Sequence, residues 1–396
     1  MVDYSVGIFA DVVNPNMFGS SRNIYYLAKA LEEKGCKVTV FCLDVPPNKK
    51  IDLNKIYVSD ERWLGFMPCI SWIGDPRHFR IAKKAREMES EFDIFHSNCC
   101  FGFPYASNRN KPFVVHLRSI SLKTLKNLLS DHFLRTLYNR QVIYQSALWL
   151  VEKYTTKNSN LVFCNSKGTA IEANKVLGVY PNKIKIIYNG VNTEFFLRGT
   201  DEKIRERYDL EHKKVLLCVT RLDIEKRMGI SRLLSTMEVI AKKREDIVLL
   251  LVGGGELEEE VRGSIKKRGL SKKVIITGHI TDDHLADFYA AADLFVYPSS
   301  PGTILLEAMA ASKPFILYYN SKDVPPGVPL DKIANKKISK IIKYENISVF
   351  AEEIINRIDD NEWLSQQGKK GFQFVKEELG WSKIADEVIN YYKQII

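Results

Sequence analysis

Short apolar runs rich in β-branched residues alternate along this chain with longer stretches in which apolar positions recur every three or four residues. Apolar runs of this length predict buried strands, and the longer periodic stretches predict helices packed against them. Strand followed by helix, repeated many times, is typical of βαβ units around a parallel sheet. The chain is therefore predicted to have an α/β fold.

The pattern runs once through each half of the chain and predicts two doubly wound sheets. Residues 191–213 between them are polar and show no strand pattern, so we expect the connection near residues 195–205. Two such domains facing each other would form a cleft lined by the carboxyl ends of both sheets, where ligands bind. The predicted strands are 6–10, 37–43, 93–96, 113–117, 161–165 and 183–188 in the first half, and 214–220, 247–253, 273–277, 294–298 and 314–318 in the second.

Composition excludes a disordered chain and locates the net charge. The 396 residues are 45% hydrophobic, enough for a core in each of two domains. The net charge is +10, with 27 basic and 17 acidic residues in positions 1–200 and 31 of each in positions 201–396. All of the excess positive charge therefore lies in the first half.

The sequence disfavours a secreted protein, a membrane-spanning protein, and a protein that depends on zinc or disulfides. Asp3 and Asp11 stand where a signal peptide would need a basic and then an apolar segment, and no apolar run reaches the length of a membrane span. The seven cysteines are odd in number and lack metal-ligand spacing, so reduced buried thiols are expected rather than zinc or disulfides. We expect a cytoplasmic protein, with a peripheral position at the cytoplasmic membrane face left open.

A basic tract in the first half carries leucines at helical spacing. Residues 101–150 hold seven basic side chains against one acidic, Asp131. A helix packed on its own domain with a solvated basic face is slightly favoured, and the alternative is an anionic membrane surface bound through residues 118–140. No nucleic acid is expected as a partner, because the tract has no recognisable reader motif.

Candidate chemistry in the second half begins in the segment VTRLDIEKRMG, residues 219–229, directly after a predicted strand. Arg221 and Lys226 in this loop can clamp the oxygens of a diphosphate, although such a pair alone can equally be a solvated basic loop. The segment YPSSPGTILLEAMAASKP, residues 297–314, then ends a strand and begins a helix. The N–H groups of Gly302, Thr303 and Ile304 would be unpaired at that helix start and form an anion site.

Three further residues complete the candidate site in this half. Glu307 is flanked by apolar neighbours and therefore needs a hydrogen-bond partner, for which a ribose diol is a candidate. Gly253 lies in the turn VGGGE after another strand, which is weak evidence for a phosphate contact. His279 follows the next strand, in a turn whose backbone can reach a nucleobase edge.

Four ordered segments, VTRLDIEKRMG, LLVGGGEL, DFYAAADLFVYPS and GTILLEAMA, resemble the nucleotide-sugar domain of family 4 glycosyltransferases with the GT-B fold. The first half shares FGSSRNIYYLAKALEEKGCKVTV, DIFHSN, VVHLRS, FCNSKGTA and IKIIYNGVNTEFF with the family, so the resemblance covers essentially the whole chain. It implies two Rossmann-like domains, 1–198 on the acceptor side and 199–378 for the nucleotide sugar. It also implies that residues 379–396 form a terminal helix that crosses back to the first domain.

The activity implied by the resemblance is transfer of a hexose-like sugar from a nucleotide diphosphate sugar, with the anomeric configuration retained. The acceptor would be a glycan, a lipid-linked molecule or a small molecule. Arg221 and Lys226 would neutralise the leaving diphosphate, Glu307 would hold the ribose, and Gly19 would let backbone approach the phosphates from the first domain. No metal and no other cofactor is implied.

The sequence departs from the family at two places. Ser299 stands where the family has a glutamate facing the donor sugar, and Arg118 stands where the family has an acceptor-side histidine. His116 lies two residues before Arg118 on the same face of an extended segment, so Arg118 can bind an anionic acceptor or donor group and His116 can orient a hydroxyl. His96, at the end of another strand, is a further candidate for acceptor contact.

Two other functions remain open from the sequence. A catalytically silent nucleotide-sugar binding protein is suggested by Ser299, and it would bind nucleotide without consuming donor. A GT-B epimerase or phosphorylase would need cleft carboxylates or a cofactor lysine, and neither is evident.

Overall fold

The computed structural model describes residues 3–14, 20–45, 51–59, 75–120, 140–299, 301–319, 327–343 and 346–396. Contacts divide the chain into two compact units, one formed by Met1–Gly190 with Trp381–Ile396 and the other by Val191–Gly380. These limits lie near the domain limits expected at residues 198 and 378. Each unit contains one parallel sheet, so the predicted fold class of two Rossmann-like doubly wound domains is confirmed.

The first unit contains a seven-stranded sheet in the order β3-β2-β1-β4-β5-β6-β7. The strand order reverses between β1 and β4, because the chain builds outward to β3 and then returns to the other side of β1. The strands are Ser5–Val12 (β1), Lys37–Asp44 (β2), Lys55–Val58 (β3), Ile94–Asn98 (β4), Phe113–Leu117 (β5), Leu161–Cys164 (β6) and Ile184–Ile186 (β7). The helices are Ser20–Glu33 (α1), Pro76–Glu87 (α2), Phe103–Ala106 (α3), Arg140–Lys157 (α4) and Lys167–Leu177 (α5).

An aromatic cluster fills part of the core of the first unit. Phe9 on β1 packs against Phe41 on β2 and Phe95 on β4, and Phe95 lies 4.4 Å from the ring of Tyr105, centroid to centroid. All four side chains are essentially removed from water. Burial of each large apolar side chain stabilises the fold by roughly 1.5–3 kcal/mol. The sheet is thereby held as a rigid platform for the residues at its carboxyl edge.

The second unit contains a six-stranded parallel sheet in the order β10-β9-β8-β11-β12-β13, which reverses between β8 and β11. The strands are Lys214–Val219 (β8), Ile247–Val252 (β9), Val274–Gly278 (β10), Leu294–Tyr297 (β11), Phe315–Tyr319 (β12) and Lys340–Lys343 (β13). The helices are Thr193–Leu197 (α6), Glu202–Arg207 (α7), Arg227–Ala241 (α8), Glu258–Lys267 (α9), Asp282–Ala291 (α10), Ile304–Ala310 (α11), Leu330–Asn335 (α12), Ile347–Arg357 (α13) and Asn361–Glu378 (α14).

The last helix, Trp381–Tyr392 (α15), belongs to the first unit. Trp381 stacks on Tyr26 of α1 with ring centroids 6.0 Å apart. Asp386 pairs with Lys34 at 2.8 Å. Farther along the helix, the Tyr392 hydroxyl lies 2.6 Å from His96 Nδ1 of β4. The helix is therefore bound by an aromatic contact, an ion pair and a buried hydrogen bond.

The described cysteines are unpaired, as expected of reduced thiols. Six of them lie in the described residues, and Cys69 lies outside. Burial raises the pKa of the Cys42 and Cys164 thiols to about 12, so both remain protonated and unreactive at neutral pH. Across the described ranges, none of the helices combines the length with the apolar content that a bilayer span requires.

Candidate functional site

A pocket opens in the second unit at the carboxyl ends of β8 and β11, where the strand order reverses. It encloses about 210 Å³ of space, which includes space open to solvent. Its lining includes residues from the end of β8, the start of α8 and the end of β11, namely Cys218, Thr220, Lys226, Gly229, Tyr297 and Ser299. Ligands of open α/β sheets bind outside the carboxyl ends of the strands at such a reversal. This pocket is therefore the candidate site.

The loop after β8 carries the two cations predicted to bind a diphosphate. Asp223 starts a 3-10 turn by accepting the Lys226 N–H at 3.2 Å, and its other carboxylate oxygen pairs with Arg221 at 3.1 Å. Lys226 lines the pocket. The Arg221 side chain is 71% exposed and does not belong to the described lining. The structure thus brings Lys226 to the pocket and leaves Arg221 exposed in the same loop.

Three neutral hydroxyl groups line the same pocket as Lys226. The Tyr297 hydroxyl lies 3.2 Å from Thr220 Oγ1 and is also hydrogen-bonded to the Ser299 side chain. Burial raises the pKa of Tyr297 far above its ordinary value, so the phenol stays neutral. Among the described lining residues the one charged group is the Lys226 ammonium. A positive pocket with neutral hydrogen-bonding groups favours an anionic ligand.

The glycine-rich turn after β9 packs directly against the loop that carries Arg221. A Cβ atom on Gly253 would lie 2.0 Å from the Thr220 carbonyl oxygen, and one on Gly255 would lie 2.4 Å from that of Leu222. The Leu222 N–H in turn donates to the Gly254 carbonyl oxygen at 3.0 Å. The absence of a side chain at Gly253 therefore allows the turn after β9 to pack closely against the loop after β8. Its contact with a phosphate stays a prediction.

His279 lies in the turn after β10, next to this glycine-rich segment. Its backbone nitrogen is 3.1 Å from the Cβ position of Gly254, and the residue is exposed. Gly278 before it accepts a hydrogen bond from the Gly253 N–H at 3.1 Å. The turns after β8, β9 and β10 are thus joined backbone to backbone, which keeps His279 near the candidate site. Its contact with a nucleobase stays a prediction.

Glu307 is buried, as its apolar sequence neighbours predicted, and it has the polar partner that such burial requires. It is 2% exposed and accepts a hydrogen bond from the Tyr289 hydroxyl at 3.2 Å. The same hydroxyl lies 3.2 Å from the Ile304 carbonyl oxygen. Tyr289 on α10 therefore fixes both the carboxylate and the first turn of α11. The role of Glu307 toward a ribose stays a prediction.

The turn before α11 contains a glycine in the left-handed region of the backbone. Gly302 adopts φ 61°, and a Cβ atom there would meet no neighbour within 4 Å. The N–H groups of Gly302, Thr303 and Ile304 have no backbone acceptor among the described residues. Residue 300, directly before this turn, lies outside the described residues, and anion binding by these three groups stays a prediction.

The three candidates of the first unit are all buried. His96 is 0% exposed and its pKa is lowered to about 3, mainly by burial and also by the charge of Arg118. The pKa of His116 is held well below its ordinary value for the same two reasons, with His96 contributing. Both imidazoles are therefore neutral, and their rings lie 5.5 Å apart, centroid to centroid.

Some predicted residues cannot be located. Gly19 and residues 121–139 of the basic tract lie outside the described residues. In the ranges that are described, no three His, Cys, Asp or Glu side chains come close enough to hold a metal ion. The expectation that no metal or other cofactor is needed stays a prediction.

Several residues of the site were missed by sequence reasoning. Thr220 and Tyr297 border the two recognised loops, so their positions next to those motifs were a usable signal. Tyr289 lies within an apolar helical pattern and gave no signal, because its hydroxyl acquires a role only through the contact between α10 and α11. In the first unit, Asn98 and Asn189 accept hydrogen bonds from Arg118 although both lie far from it along the chain.

Family comparisons cover nearly the whole chain. A model described as glycosyl transferases group 1 matches residues 200–374, and one described as glycosyltransferase family 4 matches residues 19–195. An uncharacterised glycosyltransferase of Methanocaldococcus jannaschii is 28% identical over 71% of this chain and 69% of its own length.

Two further similarities concern a mycobacterial enzyme and a solved structure. A GDP-mannose-dependent alpha-(1-6)-phosphatidylinositol monomannoside mannosyltransferase of Mycobacterium tuberculosis is 24% identical over 52% of this chain, and the match spans 54% of that enzyme. The crystal structure of Anabaena HepE in complex with UDP and glucose matches with a TM-score of 0.71 at 16% identity, covering 98% of this chain and 99% of that one. At this identity the structural match concerns the fold.

Proposed function

This chain belongs to the two-domain glycosyltransferases of the group 1 and family 4 type, and on that premise we propose the reaction that it catalyses. It transfers a hexose-like sugar from a nucleoside diphosphate sugar to an acceptor with retention of the anomeric configuration. The acceptor is a glycan, a lipid-linked molecule or a small molecule.

The observation that carries this proposal is the positive pocket at the reversal of the second sheet. Lys226 is the charged group of its described lining, beside the hydroxyls of Thr220, Tyr297 and Ser299. A departing nucleoside diphosphate gains negative charge as the glycosidic bond breaks, so a fixed cation there stabilises the transition state more than the ground state. We assign the diphosphate to this pocket.

Arg221 acts from the same loop in this proposal. Its guanidinium pairs with Asp223 while it remains largely exposed, so it can rotate toward a bound anion without disrupting a buried contact. Such an ion pair at the surface contributes little stability of its own, about 0–1 kcal/mol. Lys226 is therefore assigned the larger share of the charge neutralisation.

The nucleoside is assigned to the segment formed by Glu307 and the turn before α11. Glu307 is fixed by Tyr289, and Gly302 and Thr303 directly precede the short helix that carries Glu307. A buried carboxylate whose position is fixed in advance binds a diol with little ordering cost. The bound UDP in Anabaena HepE supports a nucleotide ligand for this fold, and the base is left to experiment.

Ser299 bears on which sugar is transferred. Its hydroxyl is hydrogen-bonded to Tyr297 and lies 3.4 Å from the Cβ position of Gly229 at the start of α8. A neutral hydroxyl in place of a carboxylate removes a negative charge from the sugar end of the pocket. The site therefore tolerates donor sugars that a carboxylate would repel.

The reaction is expected to proceed without a metal ion. Charge on the leaving diphosphate is then neutralised by Lys226 and Arg221, and by analogy with the loss of one oxyanion-hole donor in acyl transfer, loss of either group should cost about 2.7–4 kcal/mol. Activity should be unchanged when EDTA is added and magnesium is omitted. A chelator-sensitive reaction restored by one divalent metal would contradict this part of the proposal.

The test of the proposed function is a panel of UDP, GDP and ADP sugars. One nucleotide should raise the thermal midpoint of the protein and show saturable binding, and its sugar should be consumed with an acceptor present. The product should keep the anomeric configuration of the donor, which NMR coupling constants report. Saturable binding without any donor consumption would contradict catalysis, and an inverted product would contradict retention.

Peripheral membrane association through residues 118–140 is proposed from the basic, leucine-rich sequence alone. Replacing Lys123, Lys126 and Arg135 with Gln should weaken co-sedimentation with anionic vesicles. Unchanged partitioning of this variant would exclude the tract as the membrane contact.

A further inference from the structure

Arg118 is a buried cation without a carboxylate partner in the described part of the first unit. It follows β5 directly and is 9% exposed. Its Nη1 donates to Asn189 Oδ1 at 2.5 Å and its Nε to Asn98 Oδ1 at 3.4 Å. Its Nη2 is buried and has no hydrogen-bond partner. Two amide oxygens thus hold the guanidinium through Nε and Nη1, and Nη2 has no partner.

Two carboxylates near Arg118, those of Asp11 and Glu152, act on its neighbour Cys99, whose thiol pKa they help to raise, and not on the guanidinium itself. No ion pair joins Arg118 to an Asp or Glu of the described residues, and the pKa of Arg118 is lowered by burial. The nearby group that favours its charged form is the Cys99 thiol, whose own pKa is raised to about 12 by burial, so that the thiol is neutral at pH 7. Burial of an unpaired charge is costly, and proteins normally pair or remove such a group.

Neighbouring polar groups at the same carboxyl edge are also left without partners. Asn98 is the last residue of β4, and its Nδ2 is buried without a hydrogen-bond partner, as is Nε2 of His96 in the same strand. Asn165, which follows β6, fixes the backbone here by donating to the Arg118 carbonyl oxygen at 2.8 Å. Open donors at the ends of adjacent strands are expected where a ligand completes the hydrogen bonding.

We propose that Arg118, with Asn98, binds one anionic group of a substrate, a carboxylate or a phosphate, at the carboxyl edge of the first sheet. The unpaired Nη2 and the Asn98 Nδ2 supply the donors, and the guanidinium supplies the charge. This inference rests on the proposed transfer reaction and adds the chemical class of a substrate. The anion belongs either to the donor sugar, as in a hexuronate, or to a phosphorylated acceptor.

A purely structural Arg118 makes the opposite prediction for stability. If the hydrogen bonds of Arg118 to Asn98 and Asn189 served to hold the strands together, replacing Arg118 would lower the thermal midpoint of the protein. An arginine kept for a ligand is instead an uncompensated charge in the free protein, and its removal leaves the midpoint unchanged or raises it. Arg118→Gln and Arg118→Met remove the charge with different remaining polarity, and Arg118→Lys keeps the charge without the planar fork.

The first experiment measures binding and stability together, independently of turnover. Inorganic phosphate and free glucuronate are titrated against the wild type and the three variants by calorimetry, with a nucleoside diphosphate as reference ligand. We expect at least one anion to bind the wild type saturably, at least tenfold more weakly to Arg118→Gln and Arg118→Met, and with intermediate affinity to Arg118→Lys. Nucleoside diphosphate affinity should stay within twofold, because its proposed site lies in the other unit.

The second experiment distinguishes the two sources of the anion. The ratio of kcat/KM for a nucleoside diphosphate hexuronate over the matching neutral hexose should fall at least tenfold in Arg118→Gln when the anion is on the donor. The ratio for a phosphorylated over an unphosphorylated acceptor should fall instead when the anion is on the acceptor. An unchanged value of both ratios overturns the inference.

Two other results would overturn it. Equal anion affinity in the wild type and Arg118→Gln excludes Arg118 as the binding group, and a thermal midpoint lowered in both uncharged variants assigns it a structural role. If the wild type bound no nucleoside diphosphate, that result would instead contradict the proposed function. The two failures are therefore distinguishable.

Discussion

At the scale of single residues, Lys226 provides the charge that the candidate pocket presents to a ligand. Lys226→Ala should lower kcat/KM by about 100-fold to 1000-fold, because one stabilising group is lost from the transition state. Arg221→Ala should have a smaller effect, since that side chain is mostly exposed. The matched control is Lys242→Ala, an exposed lysine beyond the opposite end of α8, which should leave kcat/KM within twofold. Equal losses in Lys226→Ala and Lys242→Ala would contradict the assignment.

Tyr289 positions Glu307 without a predicted contact to substrate. Tyr289→Phe keeps the ring and removes the hydroxyl, so it should weaken nucleoside diphosphate binding several-fold at nearly unchanged kcat. A hydrogen bond to a charged group contributes about 1.5–3 kcal/mol, which sets the upper limit for this loss. Calorimetric titration of the two proteins measures the effect. A change in kcat with unchanged affinity would show that Tyr289 does not act through the nucleotide.

His96 makes the stability of the first unit depend on pH. Its folded pKa is about 3 against 6.5 for the free side chain, so the unfolded chain binds more protons between these values. The contribution of His96 to the free energy of unfolding should therefore be fully present above pH 6.5. At lower pH this contribution should decrease, by at most about 1.4 kcal/mol per pH unit. His96→Gln, which keeps a hydrogen-bonding side chain opposite Tyr392, should reduce the decline of the thermal midpoint between about pH 6.5 and about pH 5, and the part of the decline due to His116 should remain. Parallel pH profiles for the two proteins would contradict the neutral buried histidine.

The residues that could be predicted from the sequence are those whose role is local. Lys226 and Arg221 follow a strand in one short loop, and Glu307 stands among apolar residues of one helix, so each was recognisable in isolation. Tyr289, Asn98 and Asn189 acquire their roles through partners far along the chain. Arg118 was recognisable as a departure from the family, whereas its missing counter-ion became visible only in the fold.

At the scale of elements, the loops after β8 and β9 pack against each other, because glycine lets their backbones come into contact. Gly253→Ala would bring a Cβ atom to 2.0 Å from the Thr220 carbonyl oxygen, so the β8 loop must move. We expect a lower thermal midpoint and a loss of activity that resembles that of Lys226→Ala. The matched control is Gly263→Ala within α9, where the new methyl group meets nothing within 4 Å.

That control should behave in the opposite direction. Alanine is favoured over glycine inside a helix by about 1 kcal/mol, so Gly263→Ala should be neutral or stabilising with unchanged activity. Thermal unfolding and initial rates measured on both variants test the contrast. Wild-type activity and stability in Gly253→Ala would show that the two loops do not depend on each other.

The strands also show where sequence patterns succeed and where they fail. All eleven predicted strands are present, because their continuous apolar runs reflect burial on both faces of a parallel sheet. The edge strands β3 and β13 were not predicted. Each has four residues and begins with lysine, so neither has the long apolar run that marks a central strand.

At the scale of the whole molecule, each unit has one sheet and one carboxyl edge with a distinct charge pattern. The second unit presents Lys226 among hydroxyl groups, and the first presents Arg118 among amides. The excess positive charge of the chain lies in residues 1–200, where 27 basic residues face 17 acidic ones. Both proposed sites favour anionic ligands. The site in the second unit does so through Lys226 and the site in the first unit through the buried guanidinium of Arg118.

The central claim is that the pocket between β8 and β11 binds the diphosphate of the donor, and calorimetric titration tests it most directly. The nucleoside diphosphate that the donor panel identifies is titrated into the wild type, Lys226→Ala and Lys242→Ala. The account predicts saturable binding to the wild type, unchanged affinity in Lys242→Ala and at least tenfold weaker binding to Lys226→Ala. Equal affinity in all three proteins would contradict it.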